Sequence, residues 1–303
     1  MRQEDAILIA GPTASGKSGL ALALARRLDG VVVNADSMQV YDGLRIVTAR
    51  PGDADLALAP HRLYGHVPPD QPYSVGAWSR DAESVLRDIR STGRLPIVCG
   101  GTGLYFRALL GGLDAIPPIP EVVRRHWRGR LAEEGPEALH RHLQALDGQT
   151  AARLAPADTQ RVLRALEVVE ATGRPIGAFQ AGQGAPLVDP NRCRRWVLAP
   201  DRAVLRERIA QRFDAMLDEG AVEEIAAFRR DWPAAMQGSV GKAIAVAELS
   251  AYLDGDLTLD EARERAINRT RQYAKRQETW FRHQLDGGWI RLATASDLDL
   301  DRL

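Results

Sequence analysis

Residues Ala6–Ser18 read AILIAGPTASGKS. The apolar run Ala6–Ala10 predicts a strand, and Gly11–Ser18 fits the pattern G-x-x-x-x-G-K-[ST], which joins a strand to a helix in phosphate-binding loops. Glycines let such a backbone curl so that its amide hydrogens point inward, and the positive end of the following helix adds to them. Gly11, Pro12, Thr13, Ala14, Ser15 and Gly16 are therefore expected to cradle phosphate oxygens. Lys17 is placed to reach a terminal phosphate, and Ser18 offers a hydroxyl to a magnesium ion. A chance glycine-rich turn is the bland alternative, and the strand before and helix after argue against it.

Outward from this loop, the short apolar runs Val31–Val33, Ile97–Cys99 and Trp196–Ala199 look like strands buried on both faces. Helical patterns lie between them: Leu20, Leu24 and Leu28 recur every four residues, and Val75–Ile89 is a second helical stretch. Strands alternating with helices predict an α/β fold, a P-loop NTPase-like parallel sheet flanked by helices. Pro117, Pro118 and Pro120 then break the chain. From Glu121 to about Gly173 only helices are expected, with Asp158 as an N-cap, Val162, Leu166 and Val169 on one face, and Gly173 as the stop. The expected organisation is residues 1–116 as the first part of the core, 117–190 as an α-helical insertion, and 191–303 as a returning strand with C-terminal helices. Gly182–Arg192 reads as the return linker; a helix marked by Leu205, Ile209, Phe213 and Leu217 ends near Gly220, and further helices run to about Leu285. The tail Thr294–Leu303 carries little pattern.

Bulk properties narrow the class. The chain has 303 residues, with 40 basic and 40 acidic side chains, so it carries no net charge. That balance leaves a nucleic-acid partner open, because the field depends on where charges sit. Two cysteines, Cys99 and Cys193, make no disulfide framework, and without a C-x-x-C there is no zinc signature. No run of about 18 apolar residues occurs, so a cytoplasmic protein with no membrane partner is expected. No exposed heptad or sticky strand demands a partner, and a monomer is expected.

Two strand ends carry the next clues. Val31–Val33 leads into Asn34-Ala35-Asp36-Ser37-Met38-Gln39, and Ile97–Cys99 leads into Gly100-Gly101-Thr102-Gly103-Leu104-Tyr105. Ligands of open parallel sheets bind at the carboxyl ends of strands, so Asp36 and Thr102 should share a crevice with Lys17 and Ser18. A carboxylate there could accept a proton from a nucleophile, hold magnesium, or simply cap a turn. The stretch Thr270–Arg282, TRQYAKRQETWFR, interleaves basic and aromatic residues, with Arg271, Lys275 and Arg282 on one side of a helix. That face could track a nucleic-acid backbone or be a solvated surface. Arg161 and Arg164 pose the same question, and Arg208 and Arg212 either approach the phosphates or lie in solvent.

Taken in order, GPTASGKS, DSMQVYDGLRIVTARP (Asp36–Pro51), GGTGLY (Gly100–Tyr105), DTQRVLRALEVVEATG (Asp158–Gly173) and TRQYAKRQETWF (Thr270–Phe281) resemble the blocks of the bacterial tRNA dimethylallyltransferase family. The resemblance implies transfer of a dimethylallyl group from dimethylallyl diphosphate to the exocyclic amine of the adenosine 3′ of the anticodon in tRNA. It implies Mg²⁺ as cofactor and an anticodon stem-loop as partner, gripped by the helical insertion. The family's general base falls on Asp36, with Lys17 and Thr102 beside the reacting groups. Ser37, Met38 and Gln39 would hold the extruded base, and Gln160, Arg161, Val162, Leu163 and Arg164 match a tRNA-contacting segment. Arg124 matches a further RNA contact, Arg212 the arginine near the diphosphate, and Arg271 and Lys275 belong to the basic helix. One block departs: where the family has a sequence like AIGYKE, Ala243–Glu248 reads AIAVAE, so Ala245, Val246 and Ala247 replace glycine, an aromatic and a base. Those positions are not carried over as site residues; Lys242 is the nearby charge.

Three rival activities fit parts of the pattern. A small-molecule kinase would use Asp36 to orient a hydroxyl and would consume ATP, but has no need of the basic–aromatic helix. A prenyltransferase acting on free AMP would not need the helical insertion. A nucleotide-gated RNA-binding module would bind without turnover, leaving Asp36 beside an intact phosphate loop unexplained.

Overall fold

The computed structural model describes residues 4–114, 116–179 and 184–299. Gly182 and Gln183 of the expected linker, and the tail beyond residue 299, lie outside the described residues. The described chain forms two compact units, one of residues 1–110 with 186–303 and one of residues 111–185.

The larger unit is built on six parallel strands: β1 (Ala6–Ala10), β2 (Gly30–Asn34), β3 (His61–Arg62), β4 (Leu95–Gly100), β5 (Cys193–Leu198) and β6 (Ile290–Leu292). Their order across the sheet is β3-β2-β4-β1-β5-β6. Every residue of β1 is fully buried, as its unbroken apolar run requires of a strand covered on both faces. Ile7, Leu8 and Ile9 each contribute about 1.5–3 kcal/mol by leaving water. Four strands were legible as apolar runs. The edge strands β3 and β6, two and three residues long, are too short to show one. β5 starts earlier than its apolar run, because Cys193, Arg194 and Arg195 pair with Ala6–Leu8 through the backbone whatever their side chains are. Ala199 lies just past its end.

Helices cover both faces. On one, α1 (Lys17–Arg27) packs Leu20 and Leu24 against Ile7, Ile9 and Ile97; the short α2 (Asp53–Leu58) buries no residue of its own. On the other face lie α3 (Val75–Ser91) and α4 (Gly103–Gly111), the latter running into the unit boundary. The Ser74 hydroxyl caps α3 by accepting the Ala77 N–H at 3.2 Å.

The smaller unit contains α5 (Glu121–Glu134), α6 (Pro136–Leu146), α7 (Gly148–Ala151) and α8 (Thr159–Thr172) around Trp127, Leu139, Leu143, Val162 and Leu166. Asp158 stands at the N-cap of α8, yet its side chain caps nothing and instead lies 3.4 Å from Arg161. Gly173 ends α8 in the left-handed conformation (φ 66°). The division between the units falls before the expected limits of 117 and 190. Gly112 already turns the chain with φ 68°, and the amides of Leu187 and Val188 bond to the Leu109 carbonyl, tying the return segment to the core early.

The remaining helices belong to the larger unit: α9 (Arg202–Asp218), α10 (Ala221–Asp231), α11 (Val246–Leu253) and α12 (Leu259–Gln284). α10 has a long-range task. The Glu224 carboxylate accepts the backbone N–H groups of Arg45, Ile46 and Val47 at 2.7, 2.8 and 3.0 Å, fixing the turn that follows the Asp36 segment. Glu224→Ala leaves three donors unpaired and should cost about 2–3 kcal/mol. Urea unfolding of the variant and wild type should show this as a lowered midpoint at unchanged slope.

Candidate active site

The register aligns the ends of the central strands: Ala10 lies beside Gly100 and Val197, and Asn34 beside Cys99. The loops that follow therefore open at one edge of the sheet. The loop after β1 curls through two left-handed residues, Ala14 (φ 61°) and Gly16 (φ 91°). A side chain on Gly11 would meet the Ser15 hydroxyl at 2.8 Å and the Leu198 carbonyl at 3.1 Å. No side chain caps α1, so its first amides are free to bind an anion. Lys17 leans back over the loop, its Nζ donating to the Pro12 carbonyl at 3.2 Å, while Ser18 is exposed at the helix start.

Asp36 does two things at once. Its Oδ1 accepts the Met38 N–H at 2.9 Å, closing a turn, while its own N–H donates to Asn34 Oδ1 at 2.8 Å. Oδ2 caps nothing in that turn and faces Gly101, where an added Cβ would lie 3.3 Å from it. The turn-cap and open-carboxylate readings of this residue thus apply to different oxygens. The Ser37 N–H donates to Thr102 Oγ1 at 2.9 Å, and the Thr102 hydroxyl reaches Ser37 Oγ at 3.3 Å. The Thr102 N–H bonds to the Ala35 carbonyl at 3.1 Å. Met38 is half-buried against the core. Gln39 spends its amide nitrogen inside the fold, on the carbonyls of Thr48 and Ala49, both at 2.8 Å.

Cations gather on the phosphate loop. Arg212 donates to Thr13 Oγ1 at 3.3 Å. Its partner one turn earlier, Arg208, also turns to the loop: a Cβ on Gly16 would lie 3.9 Å from its guanidinium. Burial of its ammonium pulls the Lys17 pKa down; the Asp36 charge opposes this and Arg212 reinforces it. Burial lowers Arg212 too, against the pull of Asp36. These couplings put Lys17, Asp36 and Arg212 within one electrostatic neighbourhood. Burial first, and then the Asp36 charge, hold the phenols of Tyr105 and Tyr273 above their ordinary range, so both stay neutral.

Sequence reasoning missed Gln277. It lies inside TRQYAKRQ, where the charges drew attention, and no local signal separates it from a surface glutamine. Its Oε1 accepts the Thr13 N–H and its Nε2 donates to the Gly101 carbonyl, both at 2.9 Å. Trp280, one turn further along α12, packs so closely on Gly103 that a Cβ there would fall 2.2 Å from the ring.

Arg271 and Lys275 line a cavity of about 220 Å³ between α9 and α12, shared with Arg202, Arg206 and Glu278 over Leu205. Within the helical unit, Gln160 and Arg161 are exposed, and Arg164 is half-buried 3.7 Å from Glu167. Val162 is fully buried in that unit's core and Leu163 packs against it, so their side chains serve packing. Arg124 lies 3.8 Å from Glu121. Among the described residues no cluster of three His, Cys, Asp or Glu side chains could hold a metal, and no helix is long and apolar enough to cross a membrane.

A six-stranded parallel sheet with a phosphate loop, flanking cations and an opposed carboxylate defines a P-loop type α/β transferase or kinase. Comparison with known proteins separates these. The IPP transferase family pattern matches residues 39–284, and an isopentenyl transferase pattern matches residues 4–66. A tRNA dimethylallyltransferase of Chelativorans sp. (strain BNC1) is 59% identical over 287 residues, 94% of this chain and 98% of the relative. The tRNA dimethylallyltransferase of Sinorhizobium medicae is 53% identical over 298 residues, 98% of this chain and 97% of the relative. Among solved structures, the full-length tRNA isopentenylpyrophosphate transferase of Bacillus halodurans superposes with a TM-score of 0.68 at 34% identity, covering 99% of this chain and 93% of that one. A eukaryotic dimethylallyltransferase acting on tRNA superposes at 0.82 and 29% identity, covering 96% of this chain and 74% of that one. The chain belongs to the tRNA dimethylallyltransferase (IPP transferase) family.

Burial pushes the thiol pKa of both Cys99, beside Lys17, and Cys193 up to about 12. At pH 8 both therefore stay protonated and poorly nucleophilic. A chromogenic disulfide reagent should leave both unreacted in the native protein and titrate both after denaturation.

Proposed function

We propose that this protein transfers the dimethylallyl group of dimethylallyl diphosphate to the exocyclic amine of the adenosine 3′ of the anticodon in tRNA, releasing diphosphate. The observation that carries the reading is Asp36 Oδ2, a carboxylate oxygen left outside its own turn, in the electrostatic neighbourhood of a cation-rich phosphate loop. The phosphate loop then serves a leaving group. As the allylic carbon–oxygen bond breaks, negative charge grows on diphosphate; the uncapped amides at the start of α1, Lys17, Arg208 and Arg212 are placed to stabilise it. The allylic carbon tolerates positive character, so a weak nucleophile suffices. The adenine amine becomes acidic as it is alkylated, and Asp36 takes its proton. Thr102, hydrogen-bonded to Ser37, and the half-buried Met38 would line the place of the extruded base. Gln39 supports that turn from behind and is assigned no base contact.

Mg²⁺ suits the donors present. Ser18 is exposed at the start of α1, and an ion that keeps its waters and takes substrate phosphates needs no all-protein cage. Ser18 would hold it together with the diphosphate, and it would supply further neutralisation of the leaving charge. For tRNA, the proposed contacts are Gln160, Arg161, Arg164 and Arg124 of the helical unit, and Arg271 and Lys275 of α12. All six are exposed or half-buried.

Mass spectrometry of nucleosides from tRNA incubated with protein, dimethylallyl diphosphate and Mg²⁺ should detect dimethylallyl-adenosine. Unmodified tRNA, or a phosphorylated product formed only with ATP, would overturn the proposal. Asp36→Asn should slow the transfer by about 10²–10⁴-fold while pyrophosphate still binds.

Lys17 adds a pH signature. A lysine with a lowered pKa is a cation only below that value, so pyrophosphate affinity should fall as pH rises through it, before the ordinary lysine pKa of 10.5. Binding restores the charge and takes up a proton in that window. Calorimetry in two buffers of different ionisation heat should detect the uptake as the difference in proton exchange between wild type and Lys17→Arg, in which the ionisation of pyrophosphate itself cancels.

A further inference from the structure

We propose that Gln277 is a positioning residue for the transfer: a side-chain clip that sets the spacing between the phosphate loop and the Asp36 carboxylate. It rests on the dimethylallyl-transfer reading above. Gln277 is 6% exposed on α12. Both ends of its amide are used, Oε1 by the Thr13 N–H and Nε2 by the Gly101 carbonyl, each at 2.9 Å. An amide is rigid and planar, so the two loops are held at a distance set by covalent geometry.

Strand pairing does not supply that distance. β1 and β4 pair as far as Ala10 and Gly100, and among the described residues no backbone hydrogen bond joins residues 11–18 to residues 101–103. Gln277 is the hydrogen-bonded link between them. Each side of the link continues into the site. Thr13 accepts from Arg212 through Oγ1. Gly101 precedes Thr102, whose hydroxyl binds the Ser37 N–H next to Asp36. A run of polar contacts therefore leads from a diphosphate cation to the proton acceptor, and Gln277 joins its two halves.

Gly101 shows how tight the arrangement is. A Cβ there would fall 2.2 Å from Gln277 Nε2 and 3.3 Å from Asp36 Oδ2. The glutamine amide and the open carboxylate oxygen thus flank the same glycine. A neutral side chain can stand so close to Asp36 without repelling its charge, whereas an ionised glutamate cannot. The reaction needs the amine, the allylic carbon and the departing diphosphate in line, and a misplacement of about 1 Å in such an alignment costs about 10²-fold in rate.

Two variants test this in the full-length protein with an anticodon stem-loop, dimethylallyl diphosphate and Mg²⁺. Gln277→Met keeps a side chain of similar length but removes both hydrogen bonds. It should lower kcat by about 10²-fold, with pyrophosphate Kd and the KM for RNA little changed. Gln277→Glu gives a pH readout. Ionised, it accepts from Thr13 but cannot donate to Gly101; protonated, it does both. The ratio of its kcat to the wild-type kcat, corrected for folded fraction at each pH, should therefore rise as pH falls. A Met variant with wild-type kcat, or a Glu ratio flat with pH, would overturn the clip; should the Met variant not fold, the Glu ratio decides. Wild-type protein that does not prenylate the RNA would instead overturn the dimethylallyl-transfer reading, and the clip with it.

Discussion

The site depends on one backbone contact. Where β2 and β4 end, the Ala35 carbonyl occupies the space a side chain at residue 100 would need, 2.0 Å from its Cβ position. With glycine at 100 the two strand ends lie close together, the Ala35 N–H reaches the Cys99 carbonyl, and the Thr102 N–H reaches Ala35. Any larger residue there would separate the Asp36 turn from the loop that carries Thr102. β1 pairs with β4 on its other side, so the phosphate loop opens at the same level. Catalytic placement here follows from strand register, with side chains refining it.

The charges at this edge oppose stability and favour binding. Lys17 and Arg212 are cations drawn out of water, and neither has an ion pair among the described residues; Lys17 leans on a carbonyl and Arg212 on a hydroxyl. Such groups are costly to bury without a counter-charge. An anionic ligand supplies one, which is why perturbed cations concentrate at sites that bind anions. The same argument separates these two from Arg45, Arg94 and Arg229, which meet carboxylates directly and have structural roles.

The AIAVAE block shows how the fold absorbs a departure from the family pattern. Ala245 stands at the start of α11 with φ 81°, a left-handed conformation that costs a residue with a Cβ about 1–2 kcal/mol. The position suits glycine, as the family resemblance expects. The chain keeps the turn because other groups over-determine it: the Ala245 N–H donates to Glu248 at 3.1 Å, and Glu248 is held in turn by Arg269. Val246 beside it is fully buried, so the aromatic's replacement has become core.

The phosphate loop, the four long strands and the succession of helices could be read from the chain because each is a local matter. Apolar runs, four-residue repeats and glycine spacing act over a few residues, and Asp36 and Thr102 followed from the rule that ligands bind at strand ends. The edge strands β3 and β6 could not be read, since their pairing is supplied by neighbours distant in sequence. Gln277 and Glu224 escaped for the same reason, and the choice between phosphates and solvent for Arg208 stayed open: a polar side chain on a helix looks alike whether it meets water or a loop more than 170 positions away. Gln39 and Val162 show the converse. Their motifs suggested ligand contacts, and the folded chain turns one to a neighbouring turn and the other into a core. Composition and local pattern determined which chemistry this protein carries; only the packing of α9, α10 and α12 onto the sheet decided which side chains reach it, because that depends on contacts no local pattern encodes.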